Sequence, residues 1–445
     1  MKRSAMTFMK DWNQKSTRKP LIIRGARQVG KSTLVREFAR ESNLELIEFN
    51  FEIDLLESVS HDEFKLSSLL DEIQLKRSIK ISEESLLFFD EIQECPRLLK
   101  LLRYFFEQRP ELKIIAAGSL LEIALRAEDF SFPVGRVEFY HLGPMTFREF
   151  LWATNQNFLD SKLENFEFSP EIHKAGIKAL QSYYYVGGMP EAVKVFSESN
   201  SLVEMRKIQS QIIQTYQADF PKYNKRVNVQ RINRVFSSMA LTLGKKIIFS
   251  KLDGESQSKE IKKVVESLID SRVILSCMHS SGNMLPLLGE VDSRIFKTYF
   301  LDIGLVNSLL KMDLETLNRE FEGNFNTKGI LAEQYVAQHL SHFNGSTEPP
   351  SLIYHLRDKS TQKAEVDFLI ESGQQIIPIE VKSAKAGHLK SLKYFCTEKN
   401  STLAIKMSLA EYSEEPFTEN SKLVNIPLYA VDYLKDNLNK IKTGG

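Results

Sequence analysis

Apolar positions along this chain repeat with two different periods, and the places where the period changes outline its architecture. Leu21-Ile22-Ile23 is a short unbroken apolar run, whereas Ser32 to Ser42 follows helical spacing, so a strand and then a helix are predicted. Ahead of them, residues 1–20 read as a short helix carrying Phe8, Met9 and Trp12, closed by a polar run and Pro20. Leu44 to Phe51 alternates and fits a strand parallel to the first, and a helical region is expected from Leu55 to Ile79. Ser85 to Glu91 and Lys113 to Ser119 read as buried strands on either side of a helix over Arg97 to Gln108.

Farther on, Gly187-Gly188 breaks a helix and Pro190 opens another, which marks a hinge into a helical lid. Val229 to Leu243 and Ser258 to Ile269 return to helical spacing. V-I-L-S-C-M-H and L-P-L-L-G follow them and read as two wing strands. The polar stretch Asp313 to Asn326 separates this part from a helix over Thr327 to His342. A hairpin then places Glu365 and Asp367 on one strand, and I-I-P-I-E-V-K-S places Glu380 and Lys382 on another. Residues two apart on a strand share a face.

Composition narrows the class. The chain has 445 residues, so at about 150 residues per domain several domains are expected. With 42% hydrophobic and 26% charged residues and no apolar run near the ~20 residues a bilayer requires, no membrane span is expected. The N-terminus has no apolar signal-peptide region, so a cytoplasmic location is expected. Cys95, Cys277 and Cys396 are too few and too scattered for a disulfide framework or a zinc site. Net charge is +1, so any attraction to nucleic acid must come from a local patch. One such patch exists: from Pro221 to Arg272, twelve Lys or Arg stand against five acids.

The strongest chemical signal is I-I-R-G-A-R-Q-V-G-K-S-T, residues 22–33, which fits G-x-x-x-x-G-K-S/T between a strand and a helix. Backbone N–H groups of such a loop curl round an anion, and the helix N-terminus adds partial positive charge. Gly25, Arg27, Gln28, Val29, Gly30, Lys31, Ser32 and Thr33 are therefore expected to hold ATP, with Lys31 on the outer phosphates and the Ser32 hydroxyl on Mg²⁺. The strand ending in Asp90-Glu91 supplies the matching acids, Asp90 for the Mg²⁺ shell and Glu91 to activate the attacking water. Ser119, at the end of the next strand, is a candidate sensor of the γ-phosphate or a helix N-cap. Arg136, after Gly135, is a candidate arginine finger acting in cis or across an interface in a homo-oligomer, or else a structural arginine.

These residues resemble the bacterial and archaeal AAA-type ATPases of the AAA_14 and DUF4143 kind. The likeness rests on R-Q-V-G-K-S/T, D-E-I-Q at Asp90 to Gln93, A-G-S at Ala117 to Ser119, and the G-R-V segment from Gly135. Ser32 stands where many relatives carry Thr, and the two hydroxyls do the same chemistry. The basic stretch resembles a winged helix-turn-helix, which implies that Lys259, Lys262 and Lys263 face a DNA groove. The C-terminal pattern resembles the PD-(D/E)xK nuclease fold. That resemblance implies Asp367 and Glu380 as Mg²⁺ ligands, Lys382 as the catalytic lysine and Glu333 as the helix acid. Ala364-Glu365-Val366-Asp367 stands where a literal Pro-Asp would be, which leaves cleavage open.

The expected fold class is α/β in four parts: a P-loop AAA-type parallel-sheet core over 1–155, a helical lid over 156–220, a winged helix over 221–312 and a nuclease-like domain over 327–435. The expected function is ATP hydrolysis as a conformational switch coupled to a DNA-directed nuclease-like domain. The rival is a regulatory ATPase whose C-terminal fold only binds.

Overall fold

The computed structural model describes residues 1–60, 63–121, 135–223, 228–313, 315–316, 329–359, 362–382 and 389–443. Most of the Asp313 to Asn326 linker, Thr327 and Lys328, Lys225 and Arg226, and the residues just after Leu121 and just before Gly135 lie outside the described residues.

In the N-terminal part, β1 (Leu21–Arg24), β2 (Glu45–Asn50), β3 (Ser85–Asp90), β4 (Lys113–Gly118) and β5 (Glu138–His141) form one sheet in the order β2-β3-β4-β1-β5. Every pairing is parallel. Because successive residues of a strand face opposite ways, the apolar runs feed two cores. Leu21, Ile23, Leu86 and Phe88 pack with Trp12 of α1 (Ala5–Gln14) and Phe38 of α2 (Lys31–Glu41). Ile22, Leu87 and Phe89 pack with Leu69 of α3 (Leu66–Arg77) and Phe105 of α4 (Pro96–Gln108). The expected Leu55 to Ile79 helical region is thus a short 3-10 turn over Glu57–Ser60 and then α3.

The middle of the chain is helical. Its helices include α5 (Phe147–Ala153), α6 (Asn157–Glu164), α7 (Pro170–Val186), α8 (Pro190–Ser199) and α9 (Leu202–Tyr223). Between α7 and α8, Gly188 runs so close to Met145 that a Cβ there would lie 2.1 Å from its carbonyl oxygen. The Gly188 N–H donates to the Asp302 carboxylate at 2.5 Å, and the Met145 N–H donates back to the Gly188 carbonyl at 2.6 Å. Only glycine fits, and the turn between α7 and α8 is held by a hydrogen bond on each side.

Next come α10 (Val229–Leu241), α11 (Phe249–Leu252) and α12 (Ser258–Asp270), then β6 (Ile274–Ser280) antiparallel to β7 (Val291–Phe300). The second wing strand is therefore Val291–Phe300 and not L-P-L-L-G, because that stretch leads into a 3-10 turn over Leu287–Glu290. After α13 (Ile303–Leu309) and α14 (Ile330–Leu340), β8 (Leu352–Lys359) pairs with β6 and with β9 (Gln362–Val366). The resulting sheet, β7-β6-β8-β9, runs across the boundary expected between residues 312 and 327. A second sheet, β10-β11-β12-β14-β13, contains β10 (Phe368–Ser372), β11 (Gln375–Val381), β12 (Leu403–Ser408), β13 (Ser413–Thr418) and β14 (Ser421–Pro427). Helix α15 (Lys390–Lys399) packs beside it.

One expectation fails here. Glu365 and Asp367 do not sit on one strand, because the chain bends at Asp367 and passes from the β8–β9 sheet into the β10–β11 sheet. Helix α14 is buried nearly all round, which its mixed apolar and amide sequence did not advertise. Its polar groups are paired with neighbouring segments: Gln334 exchanges two bonds with the Phe300 backbone, and Gln338 accepts from the Ile303 N–H and donates to the Tyr183 hydroxyl. His339 Nε2 accepts from the Phe147 N–H at 3.0 Å. One helix therefore touches the ATPase part, the hinge helices and the β7 strand.

Candidate active sites

The loop after β1 starts at Gly25, whose φ of +155° and close approach to Leu142 leave no room for a side chain: a Cβ would lie 2.2 Å from the Leu142 carbonyl oxygen. The loop ends at Gly30, which caps α2 and so turns the first N–H groups of that helix toward the loop's hollow. Lys31 is 5% exposed and its ammonium donates to the Gly25 and Ala26 carbonyls at 3.0 and 2.8 Å. An anion in the loop would compete with those carbonyls for the ammonium. The Ser32 hydroxyl donates to Asp90 Oδ2 at 2.5 Å. Burial holds the Asp90 carboxyl above its usual range, against the pull of that hydrogen bond. A hydroxyl and a carboxylate in contact are a hard-oxygen donor pair of the kind Mg²⁺ takes.

Glu91 follows in a left-handed conformation that turns its side chain back along the strand end. Its carboxylate accepts from Gln93 Nε2 at 2.6 Å and from the Ser119 hydroxyl at 3.2 Å. Ser119 in turn accepts from Arg27 Nε at 3.4 Å, and Arg27 is tied to Glu52 and to Asp219 of α9 at 2.9 and 2.8 Å. A groove of about 1130 Å³ opens above these groups, lined by Arg27, Gln28, Lys31, Ser32, Asp90 and Glu91 together with Gly30 and Thr33, and closed on its far side by Pro190 and Lys194 of α8. Val29 points its side chain into the core, so only its backbone is available to a ligand.

Arg136 is not brought to this groove. It lies just before β5, a strand parallel to and paired with β1, and so at the end where the strands start, opposite the phosphate loop. Its guanidinium pairs with Glu107 near the end of α4 at 2.9 Å. In this arrangement its side chain does not reach the groove of its own chain.

The second cluster forms where the two C-terminal sheets meet. Phe368 pairs with Ile379, which sets Asp367 beside Glu380, and Asp367 Oδ2 accepts from the Val381 N–H at 2.8 Å. Lys382 donates to Glu380 Oε1 at 2.5 Å, while Glu380 Oε2 is buried with no partner. Glu333 of α14 faces the same region. Burial and the Asp367 charge push Glu333 up to about 8 and Glu380 up to about 7. Burial raises Asp367 as well.

Sequence reasoning missed Lys297. It is 1% exposed on β7, forms an ion pair with Glu365, and lies 4.9 Å from the Tyr354 ring centre. Burial works against its charge, but Glu333, Asp367 and Glu365 together outweigh that and hold the ammonium above its ordinary value. Two residues on, the Tyr299 hydroxyl donates to Glu333 Oε2 at 3.2 Å. The available signal was a lone lysine inside the apolar run I-F-K-T-Y-F. Three acids were expected round one ion; among the described residues no three His, Cys, Asp or Glu side chains form such a group. Glu333 turns instead to Tyr299 and Lys297. Asp367 and Glu380 remain the adjacent pair, with an unpartnered oxygen between buried groups.

A parallel sheet with a phosphate loop, a Ser32–Asp90 pair and a glutamate at the next position defines a P-loop ATPase. Residues 17–151 match the family AAA_14, described as an AAA domain, and residues 328–429 match the domain of unknown function DUF4143. Both domains are present in this chain, and the AAA domain supports ATP-binding, AAA-type ATPase activity. Residues 177–316 match a further domain of unknown function, DUF8612. Similar solved structures include a Walker-type ATPase of Pyrococcus abyssi, 16% identical, covering 69% of this chain and 95% of that one at a TM-score of 0.44. Another is the Aeropyrum pernix ORC2 protein with ADPNP and ADP, 14% identical over 72% and 93% of the two chains, TM-score 0.38. The Thermotoga maritima RuvB Holliday junction branch migration motor is 11% identical over 61% and 86%, TM-score 0.27. No curated protein matches the chain. Among the described residues no helix is long and apolar enough to cross a membrane.

Proposed function

We propose that this ATPase works as a conformational switch governing a DNA-directed, metal-dependent nuclease-like unit at the C-terminal end. The observation that carries the coupling is α14. It bears Glu333 and is hydrogen-bonded through Gln338 and His339 to the Tyr183 hydroxyl and the Phe147 N–H. A change of hinge position on ATP hydrolysis has a direct path to the acid cluster.

The three helices and antiparallel pair over 221–312 support reading that unit as a winged helix. Lys259, Lys262 and Lys263 are exposed on α12, although Lys262 also lies 3.8 Å from Glu266. In the C-terminal unit, Asp367, Glu380 and Lys382 come from adjacent strand ends flanked by α14 and α15, which supports the nuclease-like reading. Asp367 and Glu380 would hold the divalent ion, and the orphan Glu380 oxygen is the atom with a ligand position to spare. The ion would supply Lewis-acid stabilisation of the leaving oxygen, and Lys382 would steady the attacking water and the charge developing on phosphate. Mg²⁺ on Ser32 and Asp90 would serve ATP hydrolysis at the first site.

The alternative is a regulatory ATPase whose C-terminal unit binds without cutting. Lys297 inside the acid cluster favours that reading, since a fixed ammonium already neutralises acids that a metal would need. Incubating the purified full chain with circular DNA, Mn²⁺ and ATP separates the two. Nicking that disappears in Lys382→Ala is expected; intact circles with the parent protein, under conditions where ATP is turned over, would leave only the regulatory reading.

A further inference from the structure

A lysine is rarely buried, because removing an ammonium from water costs several kcal/mol unless acids surround it. Lys297 is buried by its own strand. β7 is held on one side by β6, where Cys277 is its partner in register, and touches Lys246 on the other through an isolated bridge. Since Lys297 and Tyr299 share a face of β7, the strand delivers both into the acid cluster from outside the C-terminal unit. Tyr299 binds Glu333, Lys297 pairs with Glu365, and a Cβ at Gly244 would lie 2.7 Å from Glu333 Oε2, so the same neighbouring unit also walls the cluster in. Glu333, Asp367 and Glu380 are buried there with Glu365 at the exposed rim, and the ammoniums of Lys297 and Lys382 face them.

We propose that Lys297 is a tethered cation that plugs the Asp367–Glu380 centre, so that a divalent ion and the Lys297 ammonium compete for the same carboxylates. Metal enters when β7 draws Lys297 back, and the plug returns when it leaves. This rests on the reading of Asp367 and Glu380 as metal ligands, and goes beyond it by naming what occupies the centre at rest. A merely structural ion pair makes the opposite prediction, because removing Lys297 would then loosen the site and weaken any metal it holds.

Mn²⁺ binding to the full chain, followed by the loss of free-ion paramagnetic resonance signal, separates these. Lys297→Met, which keeps the stem and removes the charge, should bind Mn²⁺ about tenfold more tightly than the parent. Adding Asp367→Asn in that background should cancel the gain. On the unaltered chain, saturating Mn²⁺ should raise acetylation of the Lys297 amine about fivefold, read by peptide mass spectrometry. This second measurement decides the matter if Lys297→Met does not fold. Saturable Mn²⁺ binding to the parent that is as tight as in Lys297→Met, or that leaves Lys297 acetylation unchanged, overturns the plug and leaves the metal reading standing. No Mn²⁺ binding in either protein, lost acid or not, removes the metal reading and the plug with it.

Discussion

The chain carries two carboxylate pairs of similar chemistry built in opposite ways. Asp90 and Glu91 are neighbours at one strand end, face an open groove, and meet Lys31 and Ser32 across a single strand crossing. Asp367 and Glu380 are thirteen positions apart, sealed between sheets, and meet lysines from two separate units, Lys382 and Lys297. The first site forms where β1, β4 and β3 align in one parallel sheet, which brings their ends to one side. The β10–β11 hairpin sets the second pair side by side, but Lys297, Tyr299 and Glu333 reach it only from β7 and α14, which makes its enclosure the part that a conformational change can open or shut.

The comparison breaks most clearly at Glu91. Glu91→Gln should lower ATP turnover by about 10²–10³-fold while leaving the ATP dissociation constant within about twofold, because only the water-activating oxygen is lost. Single-turnover hydrolysis and calorimetry measure the two separately. Next in size, Lys31→Ala should weaken ATP binding by about a hundredfold, the loss of one charge-assisted contact at the phosphates. If calorimetry shows unchanged affinity, the phosphates do not sit in the 25–30 loop. At the second site, Asp367→Asn should reduce Mn²⁺ affinity by about tenfold and leave ATP turnover as it was. Loss of turnover would mean that the two sites are not separable as described.

Asp302 links the two regions, since it accepts from Gly188 of the hinge and lies beside Gln338 of α14. Burial pushes it up to about 6 even though backbone N–H groups of Gly188 and Leu305 pull the other way. The folded chain therefore holds a proton that the unfolded chain has released between the ordinary carboxylate value and about 6. Stability from this group is complete at low pH and is lost as pH rises through about 6, by up to about 3 kcal/mol. Thermal melts of the parent and of Asp302→Asn from pH 4.5 to 7.5 should show a slope in the parent that is flattened in the variant; parallel curves would assign the slope elsewhere. The smallest effect is expected at Arg136, where Arg136→Ala should keep turnover within about twofold in dilute protein, as its surface ion pair with Glu107 contributes ~1 kcal/mol or less. A deficit that appears only as protein concentration rises would give Arg136 a role across an interface.

Much of the first site could be read from the chain alone. Gly25, Gly30, Lys31 and Ser32 lie within eight residues, and backbone geometry with one helix terminus dictates what such a spacing can do. Asp90 and Glu91 were legible for the same reason, as a polar end to an apolar strand. Asp367, Glu380 and Lys382 were named from local pattern too, but the bend at Asp367 was invisible, because strand spacing cannot tell one straight strand from two that join different sheets. Arg136 looked well placed beside a glycine; only the parallel direction of β1 and β5 sends it to the far end of the strands. Lys297, the burial of α14 and the Gly188–Asp302 bolt depend on contacts between residues more than thirty positions apart. Contacts at that separation are chosen by packing, and the charge balance of a buried cluster depends on which side chains that packing admits, so tertiary structure alone decided them.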